Sequence, residues 1–301
     1  MRSGFVAVVG RPNVGKSTLI NKMVGEKVSI TSPRPNTTRH QVRGVLTRPE
    51  TQIVFVDTPG LHRPKTRLGE RLNDSAMAAF DDVDVLVAMV EASADIGPGD
   101  RLVLRRCAEA CAGRGPTMMV AVNKVDRAGA ARTAEQLLKV LAVAEEVAAE
   151  ASPAALEAAK AAEFFPISAK TGRGVEALVD GITAHLDEGP AYYPDEMISD
   201  QSAAAHVAEL VREQLLYRTR EELPHAIHTR VSNWEDNRIT VEILVERDSQ
   251  KGIVIGKGGE VLKEVGIAAR EQLPPGTHLE LVVKVEKHWQ SRPEILDRFG
   301  Y

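Results

Sequence analysis

Short apolar runs alternate with amphipathic stretches from Phe5 to about His185. The runs are brief and rich in β-branched residues, as in buried strands, whereas the stretches repeat apolar residues at helical spacing. This alternation predicts an α/β domain in which helices cover a mostly parallel sheet. The predicted strands are Phe5 to Val9, Ile53 to Val56, Met118 to Val122 and Phe164 to Ile167, and the predicted helices are Ser17 to Val24, Leu68 to Phe80, Gly99 to Cys111, Thr133 to Glu150 and Val175 to His185.

A second pattern begins beyond a boundary rich in proline. Pro190 and Pro194 prevent a helix from continuing there. We therefore predict a first domain over residues 1–187, a linker over 188–202 and a smaller α+β domain over 203–301. Its predicted elements are a helix from Ala203 to Tyr217, strands from Ala226 to Trp234 and from Ile239 to Val245, a helix from Leu262 to Leu273 and a strand from Leu279 to Val285.

A glycine-rich motif directly follows the first predicted strand. It reads Gly10-Arg11-Pro12-Asn13-Val14-Gly15-Lys16-Ser17, a full match to G-x-x-x-x-G-K-[ST]. A strand, a tight turn and the start of a helix would point several backbone N–H groups and a helix dipole at one spot. The motif therefore predicts a phosphate loop that binds a nucleoside triphosphate with magnesium.

Three further motifs follow the other predicted strands of this domain. They are Asp57-Thr58-Pro59-Gly60, Asn123-Lys124-Val125-Asp126 and Ser168-Ala169-Lys170. The carboxyl ends of parallel strands are where open α/β sheets bind ligands, so we expect all four motifs to meet at one edge. A carboxylate at Asp126 can accept from both the ring N–H and the exocyclic amine of guanine, and adenine has no such donor pair. The motifs together predict a guanine nucleotide site.

The composition of the chain limits the classes of protein to which it can belong. The chain has 301 residues, 43% of them hydrophobic and 27% charged, which is ordinary for a globular protein and fits two domains. No apolar run approaches the roughly 20 residues that span a bilayer, so we expect a cytoplasmic protein. The formal net charge of -4 indicates that any RNA site is local. Cys107 and Cys111 have the spacing of neighbours on a helix and are expected to be buried thiols.

The residues of these motifs resemble those of the Era family of GTPases. The resemblance rests on Gly10 to Thr18, on Asn36-Thr37-Thr38-Arg39-His40 and on Asp57-Thr58-Pro59-Gly60-Leu61-His62, and it continues through Arg212 to Pro224 and the tail. It thus covers nearly the whole chain. It implies hydrolysis of GTP to GDP and phosphate, an Era-type G domain over residues 1–187 and a type II KH domain over residues 203–301.

The resemblance also implies a role for individual residues of the first domain. Lys16 would contact the β- and γ-phosphates, and Ser17 would bind magnesium. Thr38 would supply a second magnesium oxygen and Asp57 would hold the ion through a water, while the N–H of Gly60 would sense the γ-phosphate. The expected nucleotide-binding residues are Gly10, Asn13, Val14, Gly15, Lys16, Ser17, Thr18, Asp57, Thr58, Pro59, Gly60, Asn123, Lys124, Asp126, Ser168, Ala169 and Lys170; Asn13, Lys16, Thr38 and Gly60 are the expected catalytic residues.

Leu61 occupies the position where Ras has a glutamine that orients the attacking water. A leucine cannot orient water by hydrogen bonding, so intrinsic hydrolysis is expected to be slow or to need a charge from elsewhere. Similar GTPases with an asparagine in the phosphate loop use a potassium ion, and Asn13 matches that asparagine. The alternative is that Asn13 only orders the loop by bonding its own backbone.

A second glycine motif lies in the smaller domain. Ile253-Val254-Ile255-Gly256-Lys257-Gly258-Gly259 has the I-G-x-x-G form of a KH loop, which clamps about four nucleotides of RNA. Lysines concentrate around it although the domain as a whole is not basic. The candidate RNA-binding residues are Lys251, Gly256, Lys257, Gly258, Gly259 and Lys263. Trp289 and His288 could stack on bases or pack the tail onto the sheet; the sequence leaves both open.

The resemblance also implies the partners. The RNA would be the 3′ end of 16S ribosomal RNA, the role 30S subunit assembly, and the protein a monomer. Era proteins can also associate peripherally with the inner face of the cell membrane, although no basic amphipathic helix is evident here. A membrane-associated or cell-cycle signalling GTPase whose second domain binds protein is the alternative function.

Overall fold

The computed structural model describes residues 1–64, 66–220 and 223–301. These residues form two compact units. The first consists of Met1–Ser29, Thr38–Lys65 and Gly69–Asp200, and the second consists of Ile30–Thr37, Thr66–Leu68 and Gln201–Tyr301. None of the helices in the described ranges is both long and apolar enough to cross a membrane.

The first unit is built around one sheet of the strands β1 to β6. Their bounds are β1 Arg2–Gly10, β2 Val42–Arg48, β3 Thr51–Asp57, β4 Val85–Glu91, β5 Thr117–Asn123 and β6 Glu163–Pro166. The strand order is β2-β3-β1-β4-β5-β6, and β2 runs antiparallel to β3 while the other neighbours are parallel. The mostly parallel sheet predicted from the sequence is confirmed.

Helices cover both faces of this sheet, which is why its strands read as nearly continuous apolar runs. The helices are α1 Lys16–Val24, α2 Arg67–Ala78, α3 Pro98–Ala110, α4 Val125–Ala151, α5 Pro153–Ala161 and α6 Val175–Ala184. Alternate residues of β1 face opposite sides: Val6 and Val8 lie in a core with α1 and α6, whereas Ala7 and Val9 lie in a core with α3, α4 and α5. The two cores hold the carboxyl ends of the strands at one edge.

The start of α4 differs from the predicted helix, and the two cysteines are placed as the sequence predicts. The predicted helix from Thr133 begins earlier, at Val125, because a short first segment precedes a break at Gly129, whose φ of 73° and ψ of 170° are not helical. Cys107 and Cys111 are buried in the core, as expected. Burial raises the pKa of the Cys111 thiol to about 12.

The residues that follow α6 run along the sheet of the first unit. Gln52 Oε1 accepts hydrogen bonds from the backbone N–H groups of Tyr192 and Tyr193 at 2.6 and 2.9 Å. The ring of Tyr192 packs edge-on against Phe5, with centroids 4.7 Å apart. Backbone and side-chain contacts therefore fix the chain between the two prolines.

The second unit has a three-stranded sheet with helices. Its elements are α7 Ala203–Arg218, α8 Leu223–Ala226, β7 His228–Glu235, β8 Arg238–Val245, α9 Asp248–Ile255, α10 Glu260–Arg270, β9 His278–Val285 and α11 Pro293–Arg298. β7 pairs antiparallel with β8, and β8 pairs parallel with β9. The α+β prediction is confirmed. The apolar run that ends at Ile255 is the last part of a helix, α9, which the sequence analysis had not identified.

Candidate functional site

The phosphate loop lies between the end of β1 at Gly10 and the start of α1 at Lys16. Two of its residues have left-handed backbone conformations: Asn13 at φ 63° and Gly15 at φ 110°. A Cβ on Gly15 would lie 2.4 Å from Nδ2 of Asn123, so both the conformation and the space require glycine. The turn therefore points the first amides of α1 into the loop, as an anion site requires.

Lys16 extends along this loop and is buried, with 6% of its surface exposed. Its ammonium donates hydrogen bonds to the backbone carbonyls of Gly10 and Arg11, each over 3.2 Å. Burial lowers its pKa to about 8, and the charge of Asp57 opposes that shift. The loop thus holds a cation at the place where the sequence predicts the β- and γ-phosphates.

Three oxygens meet beside Lys16. Ser17 Oγ lies 3.0 Å from Thr38 Oγ1, and each hydroxyl donates to Oδ2 of Asp57, over 2.8 Å from Ser17 and 3.0 Å from Thr38. Burial raises the pKa of Asp57, although the charge of Lys16 and the hydroxyl hydrogen bonds pull it down. Two hydroxyls and a carboxylate are the hard oxygen donors that Mg²⁺ prefers, so the donor set fits this ion.

The segment after Asp57 packs tightly on the phosphate loop. Thr58 Oγ1 donates to the carbonyl of Val8 over 2.9 Å, and the Leu61 N–H donates to the carbonyl of Gly10 over 3.1 Å. A Cβ on Gly60 would lie 2.8 Å from the backbone nitrogen of Pro12, so glycine is required. Leu61 is buried in the core with 3% exposure. Its side chain therefore serves packing and does not face a reacting water.

Asn123 connects the phosphate loop to the loop after β6. Its Nδ2 donates to the carbonyl of Val14 over 2.8 Å, and its Oδ1 accepts from the N–H of Ala169 over 2.9 Å. Lys124 Nζ donates to the carbonyl of Asn13 over 3.0 Å. The four motifs are thus brought to one edge of the sheet by direct hydrogen bonds.

Asp126 lies at the start of α4 with its carboxylate exposed. Ser168 Oγ donates to Oδ1 of Asp126 over 2.6 Å, and this bond is the main reason why the pKa of Asp126 is lowered. The carboxylate is therefore charged and oriented at neutral pH. Lys170 follows in the same loop and is exposed, so the described loop can surround a planar base.

Two charged residues of this edge, Glu91 and Arg11, have no role predicted from the sequence. Glu91, the last residue of β4, accepts from Lys124 Nζ over 2.7 Å. Arg11 of the phosphate loop contacts the same carboxylate over 3.3 Å. The signal that could have identified Glu91 is its position directly after the apolar run that ends at Val90, where the other motifs also lie.

The second glycine motif forms a compact turn between two helices. α9 ends at Ile255, Gly256 has φ 76°, and Gly258 and Gly259 have φ 63° and 83° before α10 begins. A Cβ on Gly256 would lie 2.6 Å from a methyl carbon of Val261, whereas one on Gly258 or Gly259 would meet no atom within 4 Å. Gly256 is therefore fixed by space and conformation, and the other two by conformation alone.

The lysines around this turn are accessible. Lys257 and Lys263 are exposed and Lys251 is half-buried. One apolar side chain on each of the two helices that flank the turn is also exposed, Ile253 of α9 by 57% and Ile267 of α10 by 41%. Cationic groups beside apolar ones suit the phosphates and bases of a single strand of RNA.

Trp289 is fully buried, so the alternative that it stacks on RNA bases is not supported. Its Nε1 donates to the carbonyl of Ala226 over 2.9 Å, and its ring packs against His228 and Phe299. Its aromatic surface fastens the tail onto the unit.

Family comparisons match both units. The chain matches a 50S ribosome-binding GTPase family over residues 5–124 and a KH domain family over residues 222–290. It is 47% identical over 311 aligned residues to the GTPase Era of Mycobacterium avium strain 104, covering 100% of this chain and 99% of that one. It is 46% identical over 313 aligned residues to the GTPase Era of Mycobacterium tuberculosis strain ATCC 25177 / H37Ra, covering 99% and 98%.

Two solved structures are similar over the same length. One is a variant of Aquifex aeolicus Era bound to GDP·AlF4⁻, and the other is Era in complex with MgGDPNP and nucleotides 1506–1542 of 16S ribosomal RNA. Each has a TM-score of 0.87 and 37% identity, and each comparison covers 100% of this chain and 99% of the other.

Proposed function

Because this chain belongs to the GTPase Era family, we propose that it is a GTP-driven switch that binds the 3′ end of 16S ribosomal RNA during assembly of the 30S subunit. Membership of the family makes it a GTPase, with a P-loop GTPase domain followed by a KH domain. The observation that carries the proposal is the meeting of four nucleotide motifs at one sheet edge in a chain that also has an exposed I-G-x-x-G turn.

The phosphate end of the site is assigned to residues of the loop and of β3. Lys16 would contact the β- and γ-phosphates, and the amides from Asn13 to Thr18 would surround them. Ser17, Thr38 and Asp57 would hold Mg²⁺, which supplies positive charge beside the transferring phosphoryl group when bound. The hydrogen bonds that join these three side chains support the assignment. The close approach of Gly60 to Pro12 supports a role for its N–H next to the γ-phosphate.

The base end of the site is assigned to Asn123, Lys124, Asp126 and the Ser168 loop. Asp126 would accept two hydrogen bonds from guanine, because its carboxylate is charged, exposed and oriented by Ser168. Asn123 would act through the loops that it joins, since both ends of its amide are already bonded to backbone groups.

We also propose that hydrolysis depends on potassium. Leu61 is buried and cannot orient water, so the charge that the reaction needs must come from another group. Asn13 is the candidate ligand because it stands in the phosphate loop with a left-handed backbone. The alternative, that Asn13 only shapes the loop, has its own support in the bond that its carbonyl accepts from Lys124.

RNA binding is assigned to the turn of the second unit. Gly256, Lys257, Gly258 and Gly259 would lie along the RNA backbone, and Lys251 and Lys263 would add charge beside it. We propose residues 1–187 as the G domain, 188–202 as the linker and 203–301 as a KH domain of type II in a monomeric protein. The proposed ribosomal target implies a cytoplasmic location, and peripheral contact with the inner face of the cell membrane is the alternative that the resemblance implies.

Crosslinking in cells, followed by sequencing of the bound RNA, tests this function. Reads concentrated at the 3′ end of 16S ribosomal RNA are expected. Reads spread evenly over abundant RNAs would contradict the proposed target, and a parallel sample of Lys257→Glu would show whether the turn is responsible.

A further inference from the structure

Glu91 lies where the base-binding and phosphate-binding loops come together. It is the last residue of β4 and pairs in register with Asn123 of β5, the residue before Lys124. Its side chain is 16% exposed. Its position is therefore set by the register of β4 and β5 in the sheet.

One oxygen of this carboxylate contacts a cation from each loop. Oε2 of Glu91 lies 2.7 Å from Nζ of Lys124 and 3.3 Å from Nη2 of Arg11. The other oxygen, Oε1, accepts from Ser93 Oγ over 2.7 Å. Arg11 is held on its far side by Asp100, which is 1% exposed and lies 3.2 Å from Nε.

The same lysine reaches the backbone of the phosphate loop. Lys124 Nζ donates to the carbonyl of Asn13 over 3.0 Å. Lys124 and Asn13 both have left-handed backbone conformations, with φ 68° and 63°, which cost energy in residues other than glycine. The bond between them holds two strained turns in fixed relation, and Glu91 fixes the lysine that makes it.

The charge of Glu91 is suited to this task. Burial by itself would raise the pKa of Glu91, but hydrogen bonds from Lys124 and Ser93 and the charges of Lys124 and Arg11 outweigh burial and lower it. The group is thus a carboxylate at neutral pH. A neutral amide in its place would keep the shape, would remove the counter-charge that Glu91 provides to Lys124, and would leave Arg11 paired with Asp100 alone.

We propose that Glu91 is a positioning residue that locks the guanine-binding loop to the phosphate loop and so slows release of the nucleotide. The inference rests on the proposed nucleotide site. Glu91 touches neither the base nor the phosphates in this assignment; it acts through Lys124. Its loss should therefore weaken binding of the whole nucleotide and have a smaller effect on the chemical step.

The test is the dissociation rate of a fluorescent GDP, chased with excess unlabelled GDP, for Glu91→Gln and for the control Glu109→Gln. Glu109 on α3 also pairs with two arginines, Arg105 and Arg106, and lies outside the nucleotide motifs. Loss of one charge-assisted contact predicts about tenfold faster release from Glu91→Gln. The control should release GDP at the parent rate. An unchanged rate in Glu91→Gln would overturn the proposal.

A double variant separates positioning from general support of the fold. If Glu91 acts through Lys124, then adding Glu91→Gln to Lys124→Met should change release by less than twofold beyond Lys124→Met alone. Additive effects would overturn the proposal. In steady-state assays, Glu91→Gln should raise KM for GTP by more than it lowers kcat, whereas equal loss in kcat and kcat/KM would mean that Glu91 acts only in the transition state.

Two outcomes distinguish this inference from the proposed function. If the parent protein binds no guanine nucleotide, the nucleotide site itself is wrong. If the parent binds guanine nucleotide but Glu91→Gln melts below the assay temperature, the variant Ser93→Ala is measured instead. This variant removes the hydrogen bond to Oε1 of Glu91 and keeps the charges of Glu91 and Lys124. About threefold faster release is then expected, and parent-like release would overturn the role of Glu91.

Discussion

Ser168 donates a hydrogen bond over 2.6 Å to the carboxylate of Asp126, which lies 42 residues earlier in the chain. This bond is the largest cause of the lowered pKa of Asp126, and it fixes the position of one carboxylate oxygen. The loop after β6 thereby orients the group that is assigned to recognise guanine. The base site is built from two loops whose strands are neighbours in the sheet.

The first prediction concerns base preference. Asp126→Asn should shift binding from guanine to xanthine nucleotides, because the amide can donate to the xanthine carbonyl that replaces the amine of guanine. Displacement of a bound fluorescent nucleotide by GDP and by xanthosine diphosphate measures the ratio of the two affinities. The ratio of the two affinities should change by about 100-fold in favour of xanthine, because the variant loses hydrogen bonding to guanine and gains it to xanthine. Unaltered preference for GDP would count against the proposed contact.

The second prediction concerns stability and pH. The folded protein holds the pKa of Lys16 at about 8, below its ordinary value of 10.5, so the charged form is penalised in the fold. Below pH 8 that penalty is fully present, and it disappears as pH rises towards 10.5. Lys16→Met removes this penalty but also removes the two hydrogen bonds of the ammonium. The net effect should be to raise the free energy of unfolding of the nucleotide-free protein by about 2 kcal/mol at pH 7 and by little near pH 10.

Lys22→Met is the matched control, since Lys22 is exposed on the same helix. Chemical denaturation of the parent and both variants at pH 7 and pH 10 gives the free energy of unfolding of each protein at each pH. Lys16→Met should also lose tight GTP binding, whereas the control should retain it. A Lys16→Met protein that is destabilised equally at both pH values would contradict the buried, charged lysine.

The third prediction concerns potassium. Replacing potassium by sodium at constant ionic strength should slow GTP hydrolysis if Asn13 holds the ion beside the phosphates. Asn13→Gly keeps the left-handed backbone that φ 63° requires and removes the side chain. Its rate should be low and the same in both salts. Parent rates that do not depend on the salt would leave Asn13 with a role in shaping the loop only.

The sequence predicts the elements of this fold well where periodicity is strong. Strands β1, β3, β5 and β6 and most elements of the second unit follow from apolar spacing and turn residues, whereas β4 Val85–Glu91 was not predicted although it is also an apolar run. The antiparallel strand β2 did not stand out, because Arg43, Gly44, Thr47 and Arg48 leave it without a long apolar run. α9 was also missed, since its only buried residue is Val254 and it has no amphipathic repeat to detect.

The candidate site shows the same division. Motif residues such as Lys16 and Asp57 were identifiable because their chemistry is tied to local spacing. Glu91 follows an apolar run as the motifs do, but its role could not be predicted, because its partners Arg11 and Lys124 are distant in sequence and only the sheet brings them together. Likewise, the burial of Trp289 depends on contacts with residues far along the chain, which no local pattern reveals.

The central claim is that this GTPase binds RNA through the turn of the second unit. Lys257 is exposed at the tip of the turn, and its side chain supports no part of the core. Replacing Gly258 would be a poorer test, because its φ of 63° makes any side chain costly in itself. Lys139→Glu, an equal change of charge at an exposed position on α4, is the control.

The most direct measurement is a titration of labelled single-stranded RNA with the sequence of the 16S 3′ end against the parent, Lys257→Glu and Lys139→Glu at one modest salt concentration. We predict at least tenfold weaker RNA binding for Lys257→Glu, because a carboxylate would face the phosphates, with fluorescent GDP affinity and melting temperature unchanged. Lys139→Glu should match the parent. Equal RNA affinities for all three proteins would contradict the assignment of this turn as the RNA site.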